Sequence, residues 1–431
     1  MSLMKTQEIV LPGPRSGVVE IPASKSQAHR LLICASLGQA PAELICHGLS
    51  RDIEATALCL RALGAGIVLG GDRIRVEPIA KSAEPSMPRG EENAVLPCGE
   101  SGSTLRFLLP VTGALGVPSV FRMEGRLPER PLSPLKELLE SRGMEIRRDG
   151  DLLFCRGRLT PGVYRIPGNI SSQFVSGLLF ALPLLSGDSR LEVTGPVESE
   201  DYIRMTENAL SQTGWRLDRS GNEYHIPGGQ KGNTPALLRV ESDWSSAAFP
   251  LAMGALSPIG VSLRGMNPDS AQGDRRILDL LAGFGAHVAW NGDMVTVSGA
   301  ALHGQRIDAA SIPDLVPVLS AVASFAEGET VICRAQRLRL KESDRLQTTS
   351  AMLSGLGADI RETADGLIIR GKPEGIRGGA ADSFGDHRIA MSAAVAASRC
   401  AESVTVLNAR CTDKSFPGFW ETLRKLTQGG T

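Results

Sequence analysis

The run SKSQAHR opens what reads as a helix, with Ser24 as its cap and Gln27 three residues on. Yet Lys25 and Arg30 fall in its opening turns. A helix N-terminus carries partial positive charge, so each cation there costs about 0.3–1 kcal/mol. Basic residues at that end make sense when an anion joins them, because amides and hydroxyls at a helix start bind phosphate and carboxylate. The grouping recurs. GESGSTLR offers a small-residue turn and Arg106, NISSQF offers Ser171, Ser172 and Gln173, IPDLVP offers Asp314, and GDHR offers His387 and Arg388. Singly, each also reads as a plain cap or an acidic first turn. GESGSTLR lacks the Gly-Lys-Ser/Thr ending of a P-loop and does not match G-x-G-x-x-G. Recurrence at equivalent places is what points to a ligand.

Two further clusters carry charge that packing does not explain. GRLPERPL puts Arg126 and Arg130 in a Pro-containing loop, and RLKESDRL puts Lys341, Glu342, Asp344 and Arg345 within five residues. On one helix face Lys341 and Arg345 would repel. A solvated charged turn is the plain reading; an anion held between the two cations, with a carboxylate alongside as proton donor, is the sharper one. Lys414 in CTDKSFPGF has no reading by itself.

The elements that must position these residues repeat along the chain. An amphipathic helix ends on glycine and runs into a hairpin in ALCLRALGAGIVLGGDRIRVEP, LKELLESRGMEIRRDGDLLFCRG, TENALSQTGWRLDRSGNEYHIPG, ILDLLAGFGAHVAWNGDMVTVSG and TSAMLSGLGADIRETADGLIIRG. Leu132, Leu135, Leu138 and Leu139 form one such helical face, and Ile277, Leu280, Leu281 and Phe284 another. The glycines are Gly64, Gly143, Gly214, Gly285 and Gly357, separated by 79, 71, 71 and 72 residues; another 72 reaches Gly429. The polar helix starts, taken at 24, 101, 171, 243, 312 and 385, keep the same step. Six α/β units therefore account for the chain, with TQEIVLPG as a strand for the last. Grouped three and three, they give one domain of residues 1–22 plus 243–431 and an inserted domain of 23–242, with the active site expected in the cleft between them.

At 431 residues, 42% hydrophobic and net charge −1, the chain is large enough for two cores and has no global attraction to nucleic acid or anionic membrane. The longest apolar run, LLFALPLL, is far short of the ~20 residues of a membrane span. MSLMKTQEIV shows no signal-peptide pattern, and eight scattered cysteines without a C-x-x-C pair read as reduced thiols, so a cytoplasmic protein without a metal is expected.

Eleven of these stretches (SKSxxxR, GxSGSTLR, GRLPERP, SSQF, SEDYI, SDWSSA, QGD, IPDLVP, LKESDRL, FGDHRIAM and DKSFPGF) stand in the order seen in 5-enolpyruvylshikimate-3-phosphate synthases. The chain resembles that family over roughly residues 8 to 420. The resemblance implies an α/β protein of the enolpyruvyl-transferase fold: two inside-out α/β domains, each of three repeated units. It implies transfer of the enolpyruvyl group of phosphoenolpyruvate to the 5-hydroxyl of shikimate 3-phosphate with release of phosphate, in the shikimate pathway of aromatic amino acid biosynthesis. No cofactor is implied, and a monomer is expected, with these two small molecules as its partners.

By the same resemblance, Ser171, Ser172, Ser199 and Lys341 hold the shikimate phosphate. Ser26 and Arg30 hold its carboxylate, Gln173 and Tyr202 flank the ring, and Lys25 also belongs to the shikimate 3-phosphate site. Phosphoenolpyruvate meets Lys25, Gly102, Arg126, Gln173, Arg345, Arg388 and Lys414. Asp314, at the shikimate 3-phosphate site, matches the base that takes the hydroxyl proton, with Lys25 sharing it. Glu342 matches the acid that protonates carbon 3 and would need a raised pKa. Domain closure over both anions is expected. Glu100, Phe107 and Arg337 depart from residues frequent in the family, and Gly102, with no methyl group, implies sensitivity to glyphosate. The sister family acting on UDP-N-acetylglucosamine reads Lys-Asn where this chain has Lys25-Ser26 and carries a loop cysteine; Cys98 lies near GESGS but outside a matching loop. An RNA-end cyclase would want a basic stripe. A non-catalytic anion-binding scaffold is the last alternative, and Lys25, Asp314 and Glu342 stand against it.

Overall fold

A glycine in left-handed backbone ends a helix without the Cβ clash that other residues meet. In the computed structural model, which describes residues 6–79 and 93–428, Gly64, Gly143, Gly214, Gly285 and Gly357 have φ of 102, 108, 76, 109 and 99°. Each follows an amphipathic helix. Gly429, the sixth position of the count, lies outside the described residues.

Helices alternate between two kinds along the chain. They are α1 (Lys25–Leu37) and α2 (Arg51–Ala62), α3 (Gly102–Leu115) and α4 (Leu135–Glu140), α5 (Ser172–Ala181) and α6 (Glu200–Gln212), then α7 (Trp244–Ala255) and α8 (Ile277–Phe284), α9 (Val316–Ala323) and α10 (Arg345–Gly355), α11 (His387–Ala397) and α12 (Phe419–Gln428). The first of each pair is apolar nearly all round and is therefore buried; every residue of α11 and all of α7 except Ser245 are buried. The second shows one apolar stripe. Pro134 makes α4 shorter than its leucines suggest: the helix begins after it, and Leu132 packs on the core ahead of the helix.

Each full unit adds a four-stranded sheet of one pattern, two parallel strands followed by an antiparallel hairpin. Ala94–Gly99 pairs in parallel with Ser119–Met123, which pairs antiparallel with Leu152–Gly157, itself paired to Met144–Asp149. Among the described residues the last unit has no hairpin. Its parallel pair, Gly379–Asp382 and Val404–Leu407, takes the N-terminal strand Gln7–Val10 instead, antiparallel.

Two strands are exchanged. Ser16–Glu20 precedes α1 but pairs with Gly260–Arg264, the strand after α7; Leu237–Arg239 precedes α7 but pairs with Ala42–Ile45, the strand after α1. The chain accordingly divides into one compact unit of residues up to Pro22 with those from Glu241 onward, and a second of Ala23–Val240. The later crossing falls two residues before the position read from sequence, because Val240 N–H donates to Ile45 O at 2.9 Å whereas Asp243 N–H donates to Pro22 O at 2.9 Å. Each unit has its own core, one around Trp244, Phe249 and Phe284, the other around Phe107, Phe121, Phe174 and Phe180. Each such aromatic contributes about 1.5–3 kcal/mol by leaving water.

Candidate active site

In the unit of residues 23–240, the starts of α1, α3 and α5 carry the expected side chains. Ser24 Oγ accepts from Gln27 N–H at 3.4 Å, Ser101 Oγ from Thr104 N–H at 3.3 Å and Ser171 Oγ from Gln173 N–H at 3.3 Å. Lys25 Nζ meets Asp52 Oδ2 of α2 at 3.0 Å. Gln173 joins two helix starts, its Oε1 accepting from Arg106 Nη1 at 2.8 Å and its Nε2 donating to Ser103 Oγ at 2.9 Å. Ser172 and Ser199 are buried, and Ser199 stands in left-handed backbone, φ 55°, ahead of α6. Arg30 donates to Thr206 Oγ1 at 2.8 Å, to the Ser26 carbonyl at 2.6 Å and to the Tyr202 carbonyl at 2.8 Å. Burial lowers its pKa to about 10. Tyr202 and Ser26 thus hold Arg30 through their backbones.

The residues that depart from the family pattern have clear places here. Phe107 lies under the Arg30 guanidinium, 5.0 Å from it, and packs edge-on against Phe180. Glu100 lies over Gly125, where an added Cβ would come within 2.1 Å of Oε1. An added Cβ on Gly102 would lie 2.6 Å from Arg130 Nη1. Arg126 is exposed and pairs with Glu129 at 3.2 Å. The buried Cys98 thiol, pushed up to about 12 by burial, donates to the Arg122 carbonyl.

In the other unit a dense ionic cluster forms around Asp314. Pro313 opens a 3-10 turn, Pro313–Leu315, which holds Asp314 just ahead of α9, whose second residue is Pro317. Asp314 Oδ1 meets Arg345 Nη1 at 2.8 Å and Lys341 Nζ at 3.6 Å, and Oδ2 meets Arg388 Nη2 at 3.0 Å. The anion between Lys341 and Arg345 is therefore Asp314. The two cations do not share a helical turn either: Asp344 caps α10, which begins at Arg345, and Lys341 precedes it. Arg345 also meets Glu342 Oε2 at 2.8 Å and Asp386 Oδ2 at 2.8 Å. Arg337 lies in the 3-10 turn Gln336–Leu340, and Lys414 is buried at the end of another, Ala409–Lys414.

Burial alone would raise Asp314, but Arg388, Lys341 and Arg345 outweigh it and hold the carboxyl well below its usual range. Burial lowers Lys341 to about 8 despite the pull of Asp314. Arg345 is pushed the other way: Asp386, Glu342 and Asp314 raise it against burial. Asp274, in a short turn before α8, accepts from the Ser245 hydroxyl; burial and the charge of Asp314 lift it to about 7. Asp386 and Asp52 escaped the sequence reading as partners. The signal for Asp386 is its cap position, since its Oδ1 accepts from Arg388 N–H at 3.0 Å.

Among the described residues no His, Cys, Asp or Glu group is arranged to hold a metal, and no helix is long and apolar enough to cross a membrane. Repeated α/β units with cations gathered at their helix starts define the class, an α/β enzyme for anionic small molecules. The chain belongs to the EPSP synthase (3-phosphoshikimate 1-carboxyvinyltransferase) family, whose model matches residues 11–423. It is 41% identical over 422 residues to the 3-phosphoshikimate 1-carboxyvinyltransferase of Clostridium kluyveri, covering 96% of each chain. With that of Clostridium novyi it shares 36% over 427 residues, 97% of this chain and 96% of the relative. The solved EPSP synthase from Acinetobacter baumannii superposes with a TM-score of 0.78 at 25% identity, covering 98% of both chains.

Proposed function

We infer that this protein joins phosphoenolpyruvate to the 5-hydroxyl of shikimate 3-phosphate. The hydroxyl oxygen bonds to carbon 2 of phosphoenolpyruvate as carbon 3 gains a proton; the carbon–oxygen bond to phosphate then breaks and carbon 3 gives its proton back. Membership of the family supports the reaction. The observation that supports the residue roles is the Asp314 cluster.

A carboxylate held by Arg345, Arg388 and Lys341 is a weak base. Both substrates are anions, and their phosphates and carboxylates compete for those same cations. Binding thus draws the cations toward substrate and frees Asp314 to take the hydroxyl proton. Arg345, Arg388, Arg126, Lys25, Lys414 and the amides after Ser101 bind phosphoenolpyruvate in this reading, and the cationic groups stabilise charge as it develops. Ser171, Ser172, Ser199 and Lys341 hold the shikimate phosphate, with Ser26, Arg30, Gln173 and Tyr202 around the ring. Glu342, oriented by Arg345, serves carbon 3. A cytoplasmic monomer is the setting we propose; eight free thiols suit a reducing compartment.

The test is phosphate release from phosphoenolpyruvate with shikimate 3-phosphate or UDP-N-acetylglucosamine as acceptor. Turnover is expected with the first alone. Asp314→Ala should lose turnover far more than affinity for shikimate 3-phosphate, and equal loss of both would sink its role as base.

A further inference from the structure

Four buried polar side chains outside the reaction just described stand in one line. His29 follows Lys25 by four residues on α1, and Thr56 follows Asp52 by four on α2. Residues four apart share a helix face. The two helices therefore meet through two rungs, Lys25 Nζ to Asp52 Oδ2 at 3.0 Å and His29 Nδ1 to Thr56 Oγ1 at 2.7 Å. The line continues: Thr56 Oγ1 lies 2.6 Å from Thr104 Oγ1, and Thr104 Oγ1 donates to Ser101 Oγ at 2.7 Å. Ser101 caps α3 and immediately precedes Gly102. All four side chains belong to buried residues.

The direction of the Thr104–Ser101 bond selects one arrangement of the protons in this line. A hydroxyl owns a single proton. Thr104 gives its proton to Ser101, so Thr56 must donate to Thr104, and the imidazole must donate to Thr56 from Nδ1. Nε2 is then a lone pair, at a buried atom without a hydrogen-bond partner. The ring stands edge-on to Phe107, centroids 6.4 Å apart. Burial, aided by Lys25 and Arg30 and opposed by Asp52, lowers His29 to about 3, so the ring is neutral wherever the enzyme works.

We propose that His29 is a positioning residue for the enolpyruvyl transfer: through the hydroxyls of Thr56, Thr104 and Ser101 it fixes the Gly102 turn to the face of α1 and α2 that presents Lys25. This rests on the reading of Lys25 and Gly102 as phosphoenolpyruvate-binding groups. Small misplacements of such groups are costly, since an error near 1 Å can lose about a hundredfold in rate. A neutral donor suits the place. A charged ring would repel Lys25 and Arg30, and a ring protonated at Nε2 would reverse every hydroxyl along the line.

Nitrogen-15 NMR of the intact protein reads the tautomer directly. His29 protonated at Nδ1 and silent from pH 5 to 8 is expected; protonation at Nε2, or titration in that range, overturns the proposal. Kinetics read the consequence. Thr104→Val keeps shape without the hydroxyl and should raise KM for phosphoenolpyruvate by about tenfold while leaving that for shikimate 3-phosphate within about twofold. Thr104→Ser and His29→Asn, which restore a hydroxyl and an N–H donor, should recover most of the loss, whereas His29→Ala should not. A folded Thr104→Val with both KM values unchanged, or both raised alike, would refute the role. If Lys25→Ala left KM for phosphoenolpyruvate unchanged, the site reading would fall and the role of His29 with it, whereas the NMR result would still stand.

Discussion

Asp386 is fully buried and faces Arg345, which also holds Glu342 and Asp314. Removing one partner from a buried ionic group strands the others, at about 3–5 kcal/mol. Arg345→Ala should therefore lose about that much in urea unfolding as well as phosphoenolpyruvate affinity. Arg126→Ala is the contrast. Its side chain is exposed, so stability should change by no more than about 0.5 kcal/mol while KM for phosphoenolpyruvate rises. Lys341 gives a pH test. With its pKa near 8, the cation that would hold the shikimate phosphate is present below that pH and lost above it. Wild-type kcat/KM for shikimate 3-phosphate should fall as pH passes about 8, and Lys341→Arg, charged throughout, should flatten the fall.

At the scale of elements, the helix-ending glycines differ in what surrounds them. An added Cβ at Gly143 would lie 2.5 Å from the Arg158 carbonyl, whereas at Gly64 the nearest atom is 3.8 Å away. Both positions strain any side chain through positive φ, so Gly143→Ala should be the more destabilising, by more than about 1 kcal/mol, in a thermal melt of the two variants. These glycines, the hairpins and the buried helices were legible in sequence because each rests on local chemistry that recurs at a fixed step. The Asp314 turn was less so: Pro313 opens a 3-10 turn that sets Asp314 just ahead of α9 rather than in it. The distant partners of two basic residues were not legible as pairings. Asp52 and Asp386 meet Lys25 and Arg345 across 27 and 41 positions, a pairing set by packing that no spacing encodes. The same holds for His29, Thr56 and Thr104.

At the scale of the whole chain, the count of six units and the grouping of residues 1–22 with 243–431 were visible, but the particular strands that Ser16–Glu20 and Leu237–Arg239 pair with were not. Either strand fits either sheet by pattern, and only three-dimensional pairing decides. That exchange sets a timetable for synthesis. Residues 23–240 are continuous, so their three sheets can close as soon as the ribosome has released them. The other unit pairs strands made before residues 23–240 with strands made after them, and must wait. Gln7 pairs with Leu407, and at about 5–20 residues per second the partner emerges some 20–80 s later. A ribosome stalled near residue 300 should therefore present a protease-resistant block from about 23 to 240 and a cleavable N-terminal arm; cleavage throughout would show that the first block cannot close alone. Until those partners emerge Gln7–Val10 and Ser16–Glu20 are unpaired apolar strands, the second for a shorter time because Gly260–Arg264 is made before Val404–Leu407, so the newborn chain is open to aggregation through strands made long before.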